Sequence, residues 1–272
     1  MKARIAGGEI FYESLGRGRA LFVVHGGPGI DHTCFRPWLD PLGEVARVVY
    51  LDLLGNGRSD RVALAGGMAF WVDGIDELRA ALGIEKIVLF GHSFGGMLGQ
   101  EYAVRHPQRL EGLILCATGP GLADSEVIFE KAKARATPAQ LEDVVAALSE
   151  PAKDAEAMRA STRSLLPLYF HRYDPAIGEK MTRETIYCPE ATAFGLGECL
   201  DAWTPRPGDI RAPTLVLSGA DDWVTPVEHG GAVLGAAIPG AKHVVFAKSG
   251  HFPFIEEQRA FLDAVRAFLA AL

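Results

Sequence analysis

The chain alternates short, continuously apolar runs with longer stretches in which apolar residues recur every three or four positions. The runs are Ala20-Leu21-Phe22-Val23-Val24, Val48-Val49-Tyr50-Leu51, Ile87-Val88-Leu89-Phe90, Leu113-Ile114-Leu115-Cys116, Pro213-Thr214-Leu215-Val216-Leu217 and His243-Val244-Val245-Phe246. The first five, short and without a polar face, read as strands covered on both sides, as in a parallel sheet, and His243 to Phe246 reads as the last strand. Glu9-Ile10-Phe11-Tyr12-Glu13 alternates instead, which predicts an edge or early antiparallel strand before a turn at Gly16-Arg17-Gly18. Helical periodicity appears in Trp71, Ile75, Leu78 and Leu82, stopped by Gly83, and again from Met97 to His106, closed by Pro107. It returns near Val227 to Ile238 and in the C-terminal stretch, where Phe261, Leu262, Val265, Phe268, Leu269 and Leu272 share one face. Strands alternating with helices predict an α/β architecture with a doubly wound, mostly parallel sheet.

The strand signal lapses between about Gly119 and Gly208, where Ala, Glu, Lys and Arg dominate and the stretches Pro138 to Leu148 and Asp154 to Leu166 read as helices. A structureless loop of that length is unusual inside a compact domain, so the expectation is an inserted helical cap of residues 119–208 on a core of 1–118 and 209–272.

Composition narrows the partners. A chain of 272 residues that is 49% apolar can fill a core covered on both faces, and a formal net charge of -7 offers no basic footprint for nucleic acid. The start Met1-Lys2-Ala3-Arg4-Ile5 has charge but no long apolar run behind it, and no span is apolar enough to cross a bilayer. The expected setting is cytoplasmic, with no membrane partner. Cys34, Cys116, Cys188 and Cys199 lack ligand spacing and are expected as reduced thiols. His32, His106, His171, His229 and His243 show no ligand pattern either, so neither metal nor cofactor is expected.

The chemistry concentrates where apolar runs end. Leu89-Phe90-Gly91-His92-Ser93-Phe94-Gly95-Gly96 places a serine in a Gly-x-Ser-x-Gly-Gly turn between a strand and a helix. Such a turn strains the serine backbone, lifts its hydroxyl above the sheet edge and tolerates only small neighbours. His25-Gly26-Gly27-Pro28-Gly29 follows another strand, and its backbone can approach a ligand closely. The loop Asp52 to Ser59 is read as structural, with Asp52 and Arg58 tying a turn. Asp221 and Asp222 follow a further strand and His251 the last one. In open α/β sheets ligands bind beyond these carboxyl ends. Serine needs a base to take its proton, and His251 is suited to that task. An acid to orient the imidazole is available in Asp222 or Asp221, with Asp124 a more distant third. His92 is expected to pack beside the serine, and His25 to shape its glycine loop.

The elbow, together with the order nucleophile, acid, histidine, resembles the α/β-hydrolase superfamily from end to end, and the loop at 25–29 resembles that of the prolyl aminopeptidase (proline iminopeptidase) family. The resemblance implies the α/β-hydrolase fold and a triad of Ser93, Asp222 and His251, Asp222 being chosen by the family's Gly-x-x-Asp spacing from Gly219. It also implies an oxyanion hole built from the amides of Phe94 and Gly27, with Gly26 as the alternative. Serine at 93, where related dehalogenases and epoxide hydrolases carry aspartate, points to acyl transfer on a small ester, amide or short peptide. In the aminopeptidases, cap glutamates bind the substrate amine, and Glu184, Glu190 and Glu198 are the available acids. There are two departures from that family: Phe94 stands where it has Trp, and Leu53-Leu54 where it has Gln-Arg. A carboxylesterase or lactonase without peptidase activity is therefore the alternative, and a ligand receptor of the same fold with little turnover is a third reading.

Overall fold

The apolar runs lie side by side in a single sheet of eight strands in a computed structural model that describes residues 1–149 and 152–272. The strands are β1 (Lys2–Ile5), β2 (Gly8–Leu15), β3 (Ala20–Val24), β4 (Arg47–Leu51), β5 (Ile87–His92), β6 (Leu110–Cys116), β7 (Thr214–Gly219) and β8 (Lys242–Phe246), in the order β1-β2-β4-β3-β5-β6-β7-β8. β1 pairs antiparallel with β2 and β2 with β4, and every later pairing is parallel. Strand β3 pairs with β4 on one side and β5 on the other, so the direction of winding reverses there. The loops after β3 and β5 diverge at that point and leave a crevice beyond their carboxyl ends. Val24 lies opposite Gly91, Gly91 opposite Leu115, and Cys116 opposite Leu217, so neighbouring strands end at nearly one level.

Burial on both faces explains why the central runs have no polar face. On one side Phe22, Val24, Leu89 and Leu115 pack against Trp71, Ile75 and Leu78 of α1 (Met68–Ala81) and Met97, Leu98 and Tyr102 of α2 (Phe94–Arg105). Between β6 and β7 the described residues form α3 (Ser125–Lys133), α4 (Pro138–Ser149), α5 (Ala155–Leu165), α6 (Pro175–Glu184) and α7 (Pro189–Phe194). A π-type turn at Gly195–Cys199 then joins α7 to the short α8 (Leu200–Ala202). Asp124, Asp154 and Asp174 begin α3, α5 and α6 by accepting first-turn amides. Ile128, Ala132, Val144, Leu165 and Leu168 form a separate apolar cluster there, closed by Trp223 from the loop after β7. The remaining helices are α9 (Gly231–Ala237), α10 (Pro253–Glu256) and α11 (Gln258–Ala271). From α11, Phe261, Val265 and Leu269 cover Leu21, Val23, Val88, Phe90 and Ile114 on the opposite face of the sheet.

Two elements differ from the sequence reading. β1 has no apolar run of its own and exists through its pairing with Gly8–Phe11. Helix α9 begins at Gly231 rather than near Val227, because His229 and Gly230 both donate to the Pro226 carbonyl and close a turn first.

The close contact of β5 and α2 generates a stability test. A Cβ at Gly91 would overlap the Gly95 carbonyl, whereas one at Gly99 would meet the side-chain ends of Leu89, Leu113 and Leu115 at 3.0, 3.2 and 3.6 Å. Gly91→Ala is expected to lose about 3 kcal/mol. Gly99→Ala should stay within about 1 kcal/mol of the parent, since helix propensity offsets the crowding. Urea unfolding of both variants checks the ranking, and equal midpoints would refute it.

Candidate functional site

Ser93 stands at the turn between β5 and α2 with φ 55° and ψ -122°, a region that costs a non-glycine residue about 1–3 kcal/mol. Neighbouring hydrogen bonds hold it there. Its amide donates to the Cys116 carbonyl at 2.9 Å, and its carbonyl accepts from the Thr118 hydroxyl at 2.8 Å and the Gly96 amide at 2.9 Å. The turn also needs close approach: a Cβ at Gly95 would lie 2.5 Å from the carbonyl oxygens of Val24 and His25.

His251 and Asp222, both 3% exposed, come together from the loops after β8 and β7. The Nδ1–H of His251 donates to Asp222 Oδ2 at 2.7 Å, which leaves Nε2 as the basic nitrogen. The His251 amide donates to the Tyr169 carbonyl at 2.7 Å. Burial alone would raise the Asp222 carboxyl, but the neighbouring imidazole and the hydrogen bonds of Thr225 hold it below the usual carboxylate range. Asp222 Oδ1 accepts the amides of Val224 and Thr225 at 2.9 and 3.0 Å, and Oδ2 accepts the Thr225 hydroxyl at 2.6 Å. The side chain of Asp221 turns the other way and meets His171 at the surface, and Asp124 caps α3.

His92 and His25 are buried and neutral. Burial, reinforced by the neighbouring His251, pushes His92 down to about 3. His92 Nε2–H donates to the His251 carbonyl at 2.9 Å, with the two ring centroids 4.7 Å apart. His25 is lowered by burial as well. Its Nε2 accepts the Leu53 amide at 3.1 Å, so the proton sits on Nδ1 and is donated to the Gly26 carbonyl at 2.8 Å. That carbonyl shares a peptide plane with the Gly27 N–H, so His25 aims this amide in the opposite direction. Gly26 packs on the serine, since a Cβ there would lie 2.9 Å from Ser93 Cβ. Phe94 opens α2, and its amide is among the N–H groups that a helix leaves without an internal partner.

The loop after β4 is tied as expected. Asp52 Oδ2 accepts from the Arg58 amide at 2.8 Å and its guanidinium at 3.1 Å. Oδ1 accepts from His32 Nδ1 at 2.6 Å. Burial would raise the Asp52 carboxyl, but the His32 hydrogen bond and nearby donors bring it to about 2. Leu53 and Leu54 are buried in the core, and the Leu54 carbonyl accepts Trp71 Nε1–H at 2.8 Å. Phe94 and Phe194 pack edge-on to Trp71, with centroids at 5.5 and 5.0 Å, so apolar rings adjoin the serine turn.

The three glutamates go to three different places. Glu184 pairs with Lys180 and Arg183 on α6, Glu190 is exposed on the first turn of α7, and Glu198 accepts the amides of Gly66 and Gly67 at 2.8 and 3.1 Å. A cavity of about 340 Å³ is lined by Glu13, His32, Arg36, Asp40, Arg58 and Glu184. Its charges pair among themselves, as in Arg36 with Asp40 at 2.9 Å. Another of about 310 Å³ is lined by Gly66, Gly67, Met68, Glu101, Trp203 and Arg206, where Trp203 Nε1–H donates to Glu101 at 3.1 Å. Among the described residues no group of three or more His, Cys, Asp or Glu side chains could hold a metal ion, and no helix is long and apolar enough to cross a membrane.

Thr118 and Thr225 had no part in the sequence reading. Thr225 was legible as the third residue after an aspartate that opens a turn. Thr118 reaches Ser93 only because β6 lies beside β5, and nothing local announces it.

The sequence model of the alpha/beta hydrolase fold family matches residues 19–258. A proline iminopeptidase of Lactiplantibacillus plantarum is 30% identical, with 92% of each chain covered. An esterase from Thermogutta terrifontis aligns with TM-score 0.76 and 28% identity over 100% of this chain and 98% of that one. The enol-lactonase from Burkholderia xenovorans aligns with TM-score 0.80 and 24% identity over 99% and 100%.

The buried His92 generates a pH test. Unfolded, it takes up a proton near the ordinary histidine value of about 6.5, and folded near 3. The unfolded chain therefore binds more protons between these values, so the stability due to this group is complete above pH 6.5 and is lost as the pH falls toward 3. In His92→Asn, the decline of unfolding free energy between about pH 6.5 and 4.5 is expected to be shallower, by up to about 1.4 kcal/mol per pH unit. Identical slopes in the two proteins would show that His92 titrates normally.

Proposed function

As the chain belongs to the alpha/beta hydrolase family and is an enzyme of hydrolase type, we propose that it is a serine hydrolase opening small carboxylic esters, lactones included, through an acyl-enzyme. The observation that carries this reading is the buried hydrogen bond between His251 and Asp222, formed at the same sheet edge as the strained Ser93. Ser93 Oγ attacks the acyl carbon while His251 Nε2 takes its proton. Asp222 holds the imidazole in the required tautomer and stabilises the imidazolium that forms. The amides of Phe94 and Gly27, with Gly26 the alternative to Gly27, receive the negative charge that develops on the carbonyl oxygen. His251 then returns the proton to the departing alkoxide as the carbon–oxygen bond breaks. Water then attacks the acyl carbon as the same nitrogen takes its proton. The bond to Ser93 Oγ breaks as that proton passes to Oγ, and the acid leaves with Ser93 restored. Residues 119–208 act as a cap on the core formed by 1–118 and 209–272.

Proline iminopeptidase activity is the second reading, supported by the loop His25 to Gly29 and by relatives of that name at 28–30% identity. An ester is the better fit to the polar groups. A substrate ammonium taken out of water costs several kcal/mol unless a carboxylate meets it. Glu184 and Glu198 are already engaged, and Glu190 lies at the surface. The rings of Trp71, Phe94 and Phe194 suit an apolar acyl group. A ligand receptor would be recognised by negligible turnover of activated esters.

Asp222→Asn is expected to lower kcat by about four orders of magnitude through the wrong imidazole tautomer. Asp221→Asn should stay within about threefold, as surface changes do. Steady-state kinetics on a p-nitrophenyl ester compare them, and the reverse ranking would refute the assignment of the acid.

The substrate class has its own test. On the ester reading, Glu184→Gln, Glu190→Gln and Glu198→Gln each leave kcat/KM for a short acyl ester within about threefold, and prolyl arylamides are turned over poorly by every form. Brisk arylamide turnover that one of these changes abolishes, with ester turnover intact, would establish the aminopeptidase reading instead.

A further inference from the structure

The loop that carries the Gly27 amide of the proposed oxyanion hole, with Gly26 its alternative, is fastened from outside the sheet. The Cys188 amide donates to the Gly29 carbonyl at 2.7 Å, the Thr192 hydroxyl to the Pro28 carbonyl at 3.0 Å, and the Ile186 amide to Asp31 Oδ2 at 3.2 Å. The two backbones are in contact. A Cβ at Gly29, where φ is +89°, would overlap the Thr192 hydroxyl and lie 2.7 Å from the Cys188 carbonyl, and one at Gly195 would overlap the Pro28 ring. The peptide link from Pro28 to Gly29 consists of the Pro28 carbonyl and the Gly29 amide, which share one plane. Both ends of that link are held: the amide donates to Asn56 Oδ1 at 2.9 Å, and the carbonyl accepts from Thr192.

The geometry at Thr192 is unusual for a helix. A helical threonine ordinarily turns its hydroxyl back to the carbonyl four residues earlier. That oxygen, of Cys188, lies at 3.5 Å, and the shorter bond goes to Pro28. We propose that Thr192 is a positioning residue of the oxyanion loop, so that the loop holds its working shape only while α7 is seated on it. This rests on the serine hydrolase reading. Losing an oxyanion donor outright costs about 100- to 1000-fold in kcat. Loosening its loop costs less, and the loss falls on kcat because the interaction is made with the transition state.

Thr192→Val keeps the shape of the side chain and removes the hydroxyl. It is expected to lower kcat for a p-nitrophenyl ester by about tenfold with KM within about twofold, and to slow inactivation by a fluorophosphonate in parallel. Thr192→Ser, which retains the hydroxyl, should recover most of both rates. Should Thr192→Val not fold, Thr192→Ala removes the same hydroxyl and is read in the same way. Parent-like kcat and inactivation rate in Thr192→Val overturn the proposal, and so does equal impairment of Val and Ser, which would mean that packing alone is at stake. Ser93→Ala tells this failure from that of the underlying reading: residual turnover at the parental rate removes the serine mechanism, whereas an inactive Ser93→Ala beside an unaffected Thr192→Val removes only the role of Thr192.

Discussion

The distance at which the first turn of α2 lies against the sheet is the constraint on which the rest of this molecule depends. Gly95 rests on the carbonyl oxygens of Val24 and His25, and Gly91 on the carbonyl of Gly95. A side chain at either position would push α2 away from β3 and β5. The serine at the corner would then lose the bonds to Cys116 and Thr118 that keep its backbone in an unfavourable region. The same contact brings the loop after β3 against Ser93, through Gly26. Strain at one residue is thus maintained by packing and hydrogen bonds distributed over three strands and a helix.

Charge and neutrality are divided just as sharply around that corner. His25 and His92 are kept neutral by burial, so each works as a directional hydrogen-bonding group, one aiming the Gly26–Gly27 peptide and the other backing the His251 carbonyl. Asp222 stays ionised because an imidazole, two amides and a hydroxyl surround it. The pair of His32 and Asp52 makes an instructive contrast. It too is buried and joined by a short hydrogen bond, at 2.6 Å, yet its carboxylate also accepts from Arg58 and closes the loop after β4. Among the described residues the pair built around His251 binds no arginine, and its carboxylate is completed by Thr225 and the Val224 amide from its own turn.

Much of this was legible in the chain. A central parallel strand must be apolar on both faces, so β3 to β7 announce themselves as runs, and a glycine-flanked serine between a run and a helical pattern marks the sharp corner at Ser93. Such features depend on periods of two and of 3.6 residues and on the size of adjacent side chains, which a sequence states directly. β1 could not be read in this way, because its four residues are held by the neighbouring strand and not by a pattern of their own.

Choices between neighbours in sequence were decided by the tertiary structure. Asp221 and Asp222 are adjacent and chemically identical, but one meets His171 at the surface and the other His251 in the interior, because consecutive side chains in a turn point in different directions. The glutamates of the helical segment read alike as acids, yet one holds the amides of Gly66 and Gly67 just before α1 and another pairs with lysine on its own helix. Thr118 and Thr192 reach Ser93 and Pro28 from 25 and 164 residues away. Local patterning determined the central strands, the helices that cover them and where the corner lies. The partner of each polar side chain was settled only by how those elements pack, since a hydrogen bond forms over a few tenths of an ångström and sequence spacing carries no such distance.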